Sequence, residues 1–331
     1  MILALDLHEI LEPTWVQMPL KALAVFVLAL VVQLPVIYAL LKIHSRIMSR
    51  VGPMYAGRFH GVGQPIAEAI KWIQKEDIIP AQADRRVFAL APVVAVVPTF
   101  MLFAVLPIAP GWVAADLDLG LFYVLAISAV SAIAVVMAAY ASHSKFTLIG
   151  GLRAVGQIIA YELPVIFGAV SIAMLAGSLS LSGIVEAQPL PFLVWPFPFG
   201  ALAFVIFLVA SFAEVMWAPF DMPVAESEII AGPYTEYSGM RFIFFQMAEF
   251  GHMIALSAIG TLLFLGGWRG PVLPPVIWFL AKMTGFVIFF IWIRFTLPRL
   301  REDQLQKFAW KVLIPLGLLN VLGIALFKVL T

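Results

Sequence analysis

The 331-residue chain contains no cysteine. That excludes a disulfide framework, a thiolate-held zinc or iron–sulfur cluster, and a cysteine nucleophile. Charge is nearly as scarce: 12% of residues are Asp, Glu, Lys or Arg, about half the share of a soluble globular domain. Neither sign is in excess, since 20 Lys and Arg face 19 Asp and Glu. The basic surface that neutralises nucleic-acid phosphates is therefore missing. Gly61-x-Gly63 and Gly150-Gly151 belong to no strand–helix unit, no Gly-Lys-Ser/Thr follows a glycine-rich loop, and no nucleophile–base constellation stands out. Any redox centre that serves this chain must sit on a partner or arrive as a diffusible ligand.

What the chain has is apolar length, with 63% hydrophobic residues. A membrane-spanning helix needs about 20 mostly apolar residues. Eight stretches qualify: Leu20–Leu41, Val87–Leu106, Leu119–Tyr140, Arg153–Ala176, Pro196–Met216, Arg241–Leu265, Val272–Ile293 and Phe308–Val329. Met1–Leu11 lacks a basic n-region and Leu20–Leu41 is too long for a signal-peptide core, so the first run reads as a retained span. The expected fold is a single all-α, eight-span membrane domain over residues 1–331.

Lys and Arg concentrate in cytoplasmic loops. With the N-terminus outside, all of them except Lys21, Arg269, Lys282 and Lys328 fall in inner segments or at inner helix ends. Both termini are then extracytoplasmic. Trp15, Trp112, Trp195 and Trp268 fall at outer boundaries and Trp217, Trp292 and Trp310 at inner ones, as headgroup-level rings should.

Two inner loops are more than connectors. Lys42–Arg86 is far longer than a usual helix–helix link. Within it Pro65 suits a first helical position, and Ile66, Ala69, Ile70 and Ile73 follow at i, i+3, i+4 and i+7. The spacing predicts an amphipathic helix along the inner membrane surface, serving as a lipid anchor or as a wall of a ligand entrance. Trp217–Met240 carries Asp221, Glu226, Glu228 and Glu236 and no Lys or Arg. It is either a solvated acidic loop or a proton-collecting, substrate-facing surface.

Glu162, Glu214 and Glu249 lie within predicted spans, where an ionisable group is costly and marks a functional candidate. At 1.5 Å per residue, Glu162 is roughly 13 Å from Arg153, Glu249 roughly 12 Å from Arg241, and Glu214 about one turn from the end of its helix. Carboxyl groups taken out of water and set near one another exchange protons near neutral pH, which is the chemistry of a proton relay. Lys282, in the seventh span, is the expected countercharge. His252 follows Glu249 by three residues, the spacing of carboxylate-bridged metal sites in bundles, but such sites need the motif twice. It occurs once here, and no metal site is expected.

The stretches Gln64-Pro65-Ile66-Ala67-Glu68-Ala69-Ile70-Lys71, Ser144-Lys145-Phe146-Thr147-Leu148-Ile149-Gly150-Gly151, Pro219-Phe220-Asp221-Met222-Pro223, Thr235-Glu236-Tyr237-Ser238-Gly239 and Phe264-Leu265-Gly266-Gly267-Trp268 resemble the H-subunit family of respiratory complex I, the proton-pumping NADH-quinone oxidoreductase. The resemblance covers most of the chain and implies the following. Quinone is the substrate, and iron–sulfur clusters and flavin sit on partner subunits. A peripheral cluster-bearing subunit closes the quinone chamber, and antiporter-like membrane subunits adjoin the chain in a bacterial cell membrane. Gly52, Pro53, Arg58, Gln64, Pro65, Lys71, Asp84, Arg85, Phe220 and Arg241 would border the chamber. Glu162, Glu214, Glu249, Asp221, Glu226, Glu228, Glu236 and Lys282 would relay protons. The chain departs from the family at Lys42-Ile43-His44-Ser45-Arg46, at Met54-Tyr55, at Val215-Met216-Trp217 before Pro-Phe-Asp, and at Ala129, where a third-span glutamate is common. Two other readings remain at this point: a heel subunit of a membrane-bound hydrogenase-type complex, and an ion-coupled secondary transporter, for which the internal repeat is not convincing.

Overall fold

Bilayer hydrocarbon offers backbone N–H and C=O groups no water, so a chain this apolar satisfies them within helices. The computed structural model describes residues 14–57, 59–188 and 198–330, with side chains described for all of these except 14–18, 226 and 227. Met1–Leu11, Arg58 and Trp195 lie outside them, as do the side chains of Trp15 and Glu226.

The helices are α1 (Thr14–Ile47), α2 (Gln64–Gln74), α3 (Arg85–Val105), α4 (Gly120–Ala141), α5 (Lys145–Ala176), α6 (Leu181–Ala187), α7 (Phe199–Glu214), α8 (Glu226–Ile229), α9 (Gly239–Phe264), α10 (Pro275–Thr296), α11 (Glu302–Phe308) and α12 (Ile314–Leu330). A 3-10 turn spans Gly232–Tyr234, and a π-turn at Ala309–Leu313 joins α11 to α12 in one continuous rod. Among the described residues, seven helical units are long and apolar enough to cross a membrane: α1, α3, α4, α5, α9, α10 and the Glu302–Leu330 rod. The apolar α7 is shorter, at 16 residues.

Helix ends differ from the edges of the expected apolar runs because backbone hydrogen bonding continues past the charged residues that bounded those runs. The run expected from Arg153 is helical from Lys145, the run expected from Phe308 is helical from Glu302, and α10 continues beyond Ile293 to Thr296. Asp84 caps α3 by accepting from the Arg86 and Val87 amides. α5 stops at Gly177, whose φ of +72° is the left-handed conformation that ends a helix without a Cβ penalty.

Two helices occupy the middle of the bundle. Every residue of α9 from Phe250 to Phe264 is buried, as a helix apolar on all sides should be. It packs on α1, α3, α7 and α10, while α5 packs on α4, α7, α12 and the 3-10 turn. Small residues permit the closest approaches: Gly251 faces Thr99, and Gly168 faces Phe207.

The acidic segment after α7 folds back under the bundle. Gln157 on α5 donates to the carbonyls of Ala213 and Phe220, each at 2.7 Å. The Leu300 amide donates to the Pro219 carbonyl at 2.9 Å, and Tyr237 stacks on Phe88 with ring centroids 4.0 Å apart. Gly232 has φ +54° and lies so close to the Pro223 carbonyl and to Gly150 of α5 that a side chain there has no room.

The first long loop meets the second. Trp72 of α2 lies 4.8 Å from Phe242, Arg241 pairs with Asp77 at 3.2 Å, and Ser238 accepts from the Ile78 amide. On α2 itself, Ile66, Ile70 and Ile73 are all exposed.

Candidate functional site

A cavity of about 450 Å³ lies between α3, α4, α5, α7, α9 and the start of the acidic segment. Glu162 from α5, Glu214 from the last residue of α7, Asp221 from the following loop, and Glu249 from α9 all line it. Four carboxylates separated by up to 87 positions in sequence thus share one space. The helices impose this: Glu162 sits nearly five turns from the start of α5, Glu249 nearly three turns from the start of α9 and Glu214 at the end of α7, and α5, α7 and α9 are mutual neighbours.

Polar groups that sequence reasoning did not place in this site complete it. Arg294, near the end of α10, lines the cavity and stacks its guanidinium 4.1 Å from the Trp217 ring centroid. Trp217 in turn donates its Nε1–H to Glu249 Oε1. His252, one turn after Glu249 on the same face of α9, brings Nε2 to 3.2 Å from Glu214 Oε1, with both side chains over nine-tenths buried. Tyr234 closes the side toward the 3-10 turn; burial, with Glu249 adding to it, pushes its phenol up, so it stays neutral. Ala129, Val215, Met216 and Trp217 line the same cavity.

The other relay candidates lie elsewhere. Lys282 is not among the lining residues. Its Nζ donates to the carbonyls of Leu265, Gly267 and Arg269, at 2.5, 3.1 and 2.7 Å, beyond the end of α9 opposite the cavity. The cation beside the carboxylates is Arg294, which sequence reasoning missed because it falls one residue past the expected end of the seventh span. Glu236 is half-buried in the acidic segment.

Glu228 faces the surface, where it accepts from Arg153 at 2.6 Å and Arg299 at 3.1 Å. The Arg153 hydrogen bond, followed by the charge of Arg299, holds its carboxyl below the usual glutamate range. A depressed folded-state value means that this tether is present above the ordinary glutamate range and is lost as pH falls through the lowered one. Proteolytic cutting within Trp217–Met240 should therefore rise as the medium is acidified past that point. In Glu228→Gln it should be high at every pH, and a pH-independent cutting pattern in the unaltered chain would refute the tether.

Of the chamber candidates with described side chains, none lines the cavity. Gly52, with φ +71°, packs on Ser45, and the Pro53 carbonyl accepts from Lys42 at 2.5 Å. Gln64 donates to Glu68, Pro65 is buried at the start of α2, and Lys71 lies 4.8 Å from the Trp72 ring centroid. Asp84 caps α3 while Arg85 is exposed at its first turn. Phe220 is buried edge-on to Tyr161 at 5.4 Å, and Arg241 makes the Asp77 pair.

Comparison with known proteins agrees over nearly the whole chain. A family model described as NADH dehydrogenase matches residues 20–325. The H subunit of NADH-quinone oxidoreductase from Dehalococcoides mccartyi strain CBDB1 is 46% identical over 316 residues, covering 96% of this chain and 88% of the relative. The H subunit from Syntrophotalea carbinolica is 49% identical over 85% of this chain and 87% of its own length, and that from Geobacillus kaustophilus 44% identical over 87% and 86%. Matches of this closeness and extent show that the chain belongs to the family of NADH-quinone oxidoreductase H subunits.

Proposed function

We propose that this chain is the membrane subunit of a complex I-type NADH-quinone oxidoreductase that borders the quinone chamber and carries protons through its intramembrane carboxylates. The observation that carries this reading is the cavity in which Glu162, Glu214, Asp221 and Glu249 converge. Electrons come from outside the chain, which has no cysteine to ligate a cluster. Quinone is substrate, and the iron–sulfur clusters and flavin belong to partner subunits.

In this reading α7 is the fifth of eight crossings of one polytopic domain, both termini are extracytoplasmic, and the acidic segment and α2 lie on the cytoplasmic side of a bacterial cell membrane. The exposed Ile66, Ile70 and Ile73 support an α2 bedded in the lipid boundary. The chamber is bordered by residues 52–86, Phe220 and Arg241, and is closed by a peripheral cluster-bearing subunit, with antiporter-like subunits alongside in the membrane.

The test is to isolate the tagged chain from its own membranes in mild detergent. Co-isolation of cluster-bearing and antiporter-like subunits, with inhibitor-sensitive quinone reduction, is the expected result. A solitary, colourless chain that moves ions when reconstituted alone would overturn the reading.

A further inference from the structure

Most buried polar side-chain atoms, imidazole nitrogens among them, have a hydrogen-bond partner. His252 is an exception. Its side chain is 9% exposed and its Nε2 lies 3.2 Å from Glu214 Oε1. Yet neither ring nitrogen, nor Glu214 Oε2, has an aligned hydrogen-bond partner among the described residues. The ring lines the cavity, one turn from Glu249 on the same helix face. Gly251 beside it lets Thr99 of α3 pack against the backbone.

Resting on the reading of the cavity as a proton route, we propose that His252 is a proton-carrying residue that passes protons between Glu214 and Glu249. The titratable and charged groups around the cavity are Glu162 from α5, Glu214 from α7, Asp221 from the loop, Tyr234 from the 3-10 turn, Glu249 from α9 and Arg294 from α10. The linings from α3 and α4 add hydroxyls, among them Thr99 and Ser128. Trp217 fixes one oxygen of Glu249, and the imidazole alone in this set has two ring nitrogens, one able to take up a proton while the other releases one.

The transfer balances as one proton moved. A proton on Glu214 Oε1 bonds to Nε2, leaving a carboxylate and an imidazolium. The Nδ1 proton then leaves through a cavity water to the Glu249 carboxylate, and the ring is neutral again. The ring is left with its proton on Nε2, and an exchange with water that removes this proton and returns one to Nδ1 restores the starting tautomer.

The experiment compares His252→Asn and His252→Gln with Glu214→Gln, each in the whole complex in sealed membrane vesicles, with rates taken per assembled complex. The expected result is a fall of about tenfold or more in coupled turnover and in proton release for both His252 variants, with the KM for quinone unchanged. If Glu214→Gln is impaired while both His252 variants keep normal turnover and proton release, His252 is not a carrier and the cavity reading stands. If all three behave normally, the cavity reading falls and this inference with it. A His252 variant that only lowers the yield of complex, with normal rates per complex, assigns the residue to packing and overturns the proposal.

Discussion

Replacing Glu249 with Gln is expected to lower coupled turnover and proton translocation per quinone reduced by at least about tenfold. That lies below the roughly 10²–10⁴ that a positioned proton-transfer group supplies. The complex should still assemble. Gln has nearly the same shape and keeps an oxygen for the Trp217 Nε1–H, so packing around the side chain is retained. What is lost is a site that binds and releases a proton and the negative charge facing Arg294, whose guanidinium lies over the same indole. Proton uptake by inverted vesicles, measured with a pH indicator alongside quinone reduction, reads the effect. An unchanged proton-to-electron ratio in a fully assembled Glu249→Gln complex would remove Glu249 from the relay.

Lys282→Met is expected to weaken the fold rather than the chemistry. The ammonium reaches three backbone carbonyls in the turn that follows α9, where the chain has left the helix and its carbonyls need donors from elsewhere. Arg269 reinforces the same corner by donating to the Gln188 carbonyl, and Gln188 donates to Leu262. Met fills the space of the lysine stem but donates nothing. Charged hydrogen bonds are lost and partly buried acceptors are stranded, at a cost of about 3 kcal/mol. The expected readout is a clear drop in the temperature at which the subunit leaves the isolated complex, with the KM for quinone unchanged in the surviving fraction. Equal thermal midpoints for variant and parent would show that the corner is held by packing alone.

The contrast between Lys282 and Arg294 shows which part of this molecule is legible in sequence. The apolar runs exposed most of the long helices, because a bilayer forces hydrophobic length onto them. They also placed Glu162, Glu214 and Glu249 at similar depth, since depth along a helix follows from residue count. Azimuth and partner do not follow. Lys282 sits in the right kind of span, but the Leu265–Arg269 turn folds over it and takes its charge. Arg294 lies just past the edge of the expected apolar run, while hydrogen bonding carries α10 on to Thr296. His252 was visible through its spacing from Glu249, whereas its neighbour Glu214 comes from another helix, and no periodicity within α9 could announce it. Trp217 was visible only as a boundary ring, although the fold turns it inward until it is 2% exposed.

The length of α7 has a consequence for the bilayer itself. Sixteen helical residues extend about 24 Å, several ångströms short of a typical hydrocarbon core of about 30 Å. A deficit of this kind is met by thinning the membrane or by letting water follow the chain inward. Here the chain leaves the helix at Glu214 and turns into the segment that lines the cavity. If α7 crosses the bilayer, the shortfall places an aqueous inlet where the carboxylates gather. The electrical distance a proton must travel across the membrane is then shortened from that side by hydrophobic mismatch, before any side chain moves.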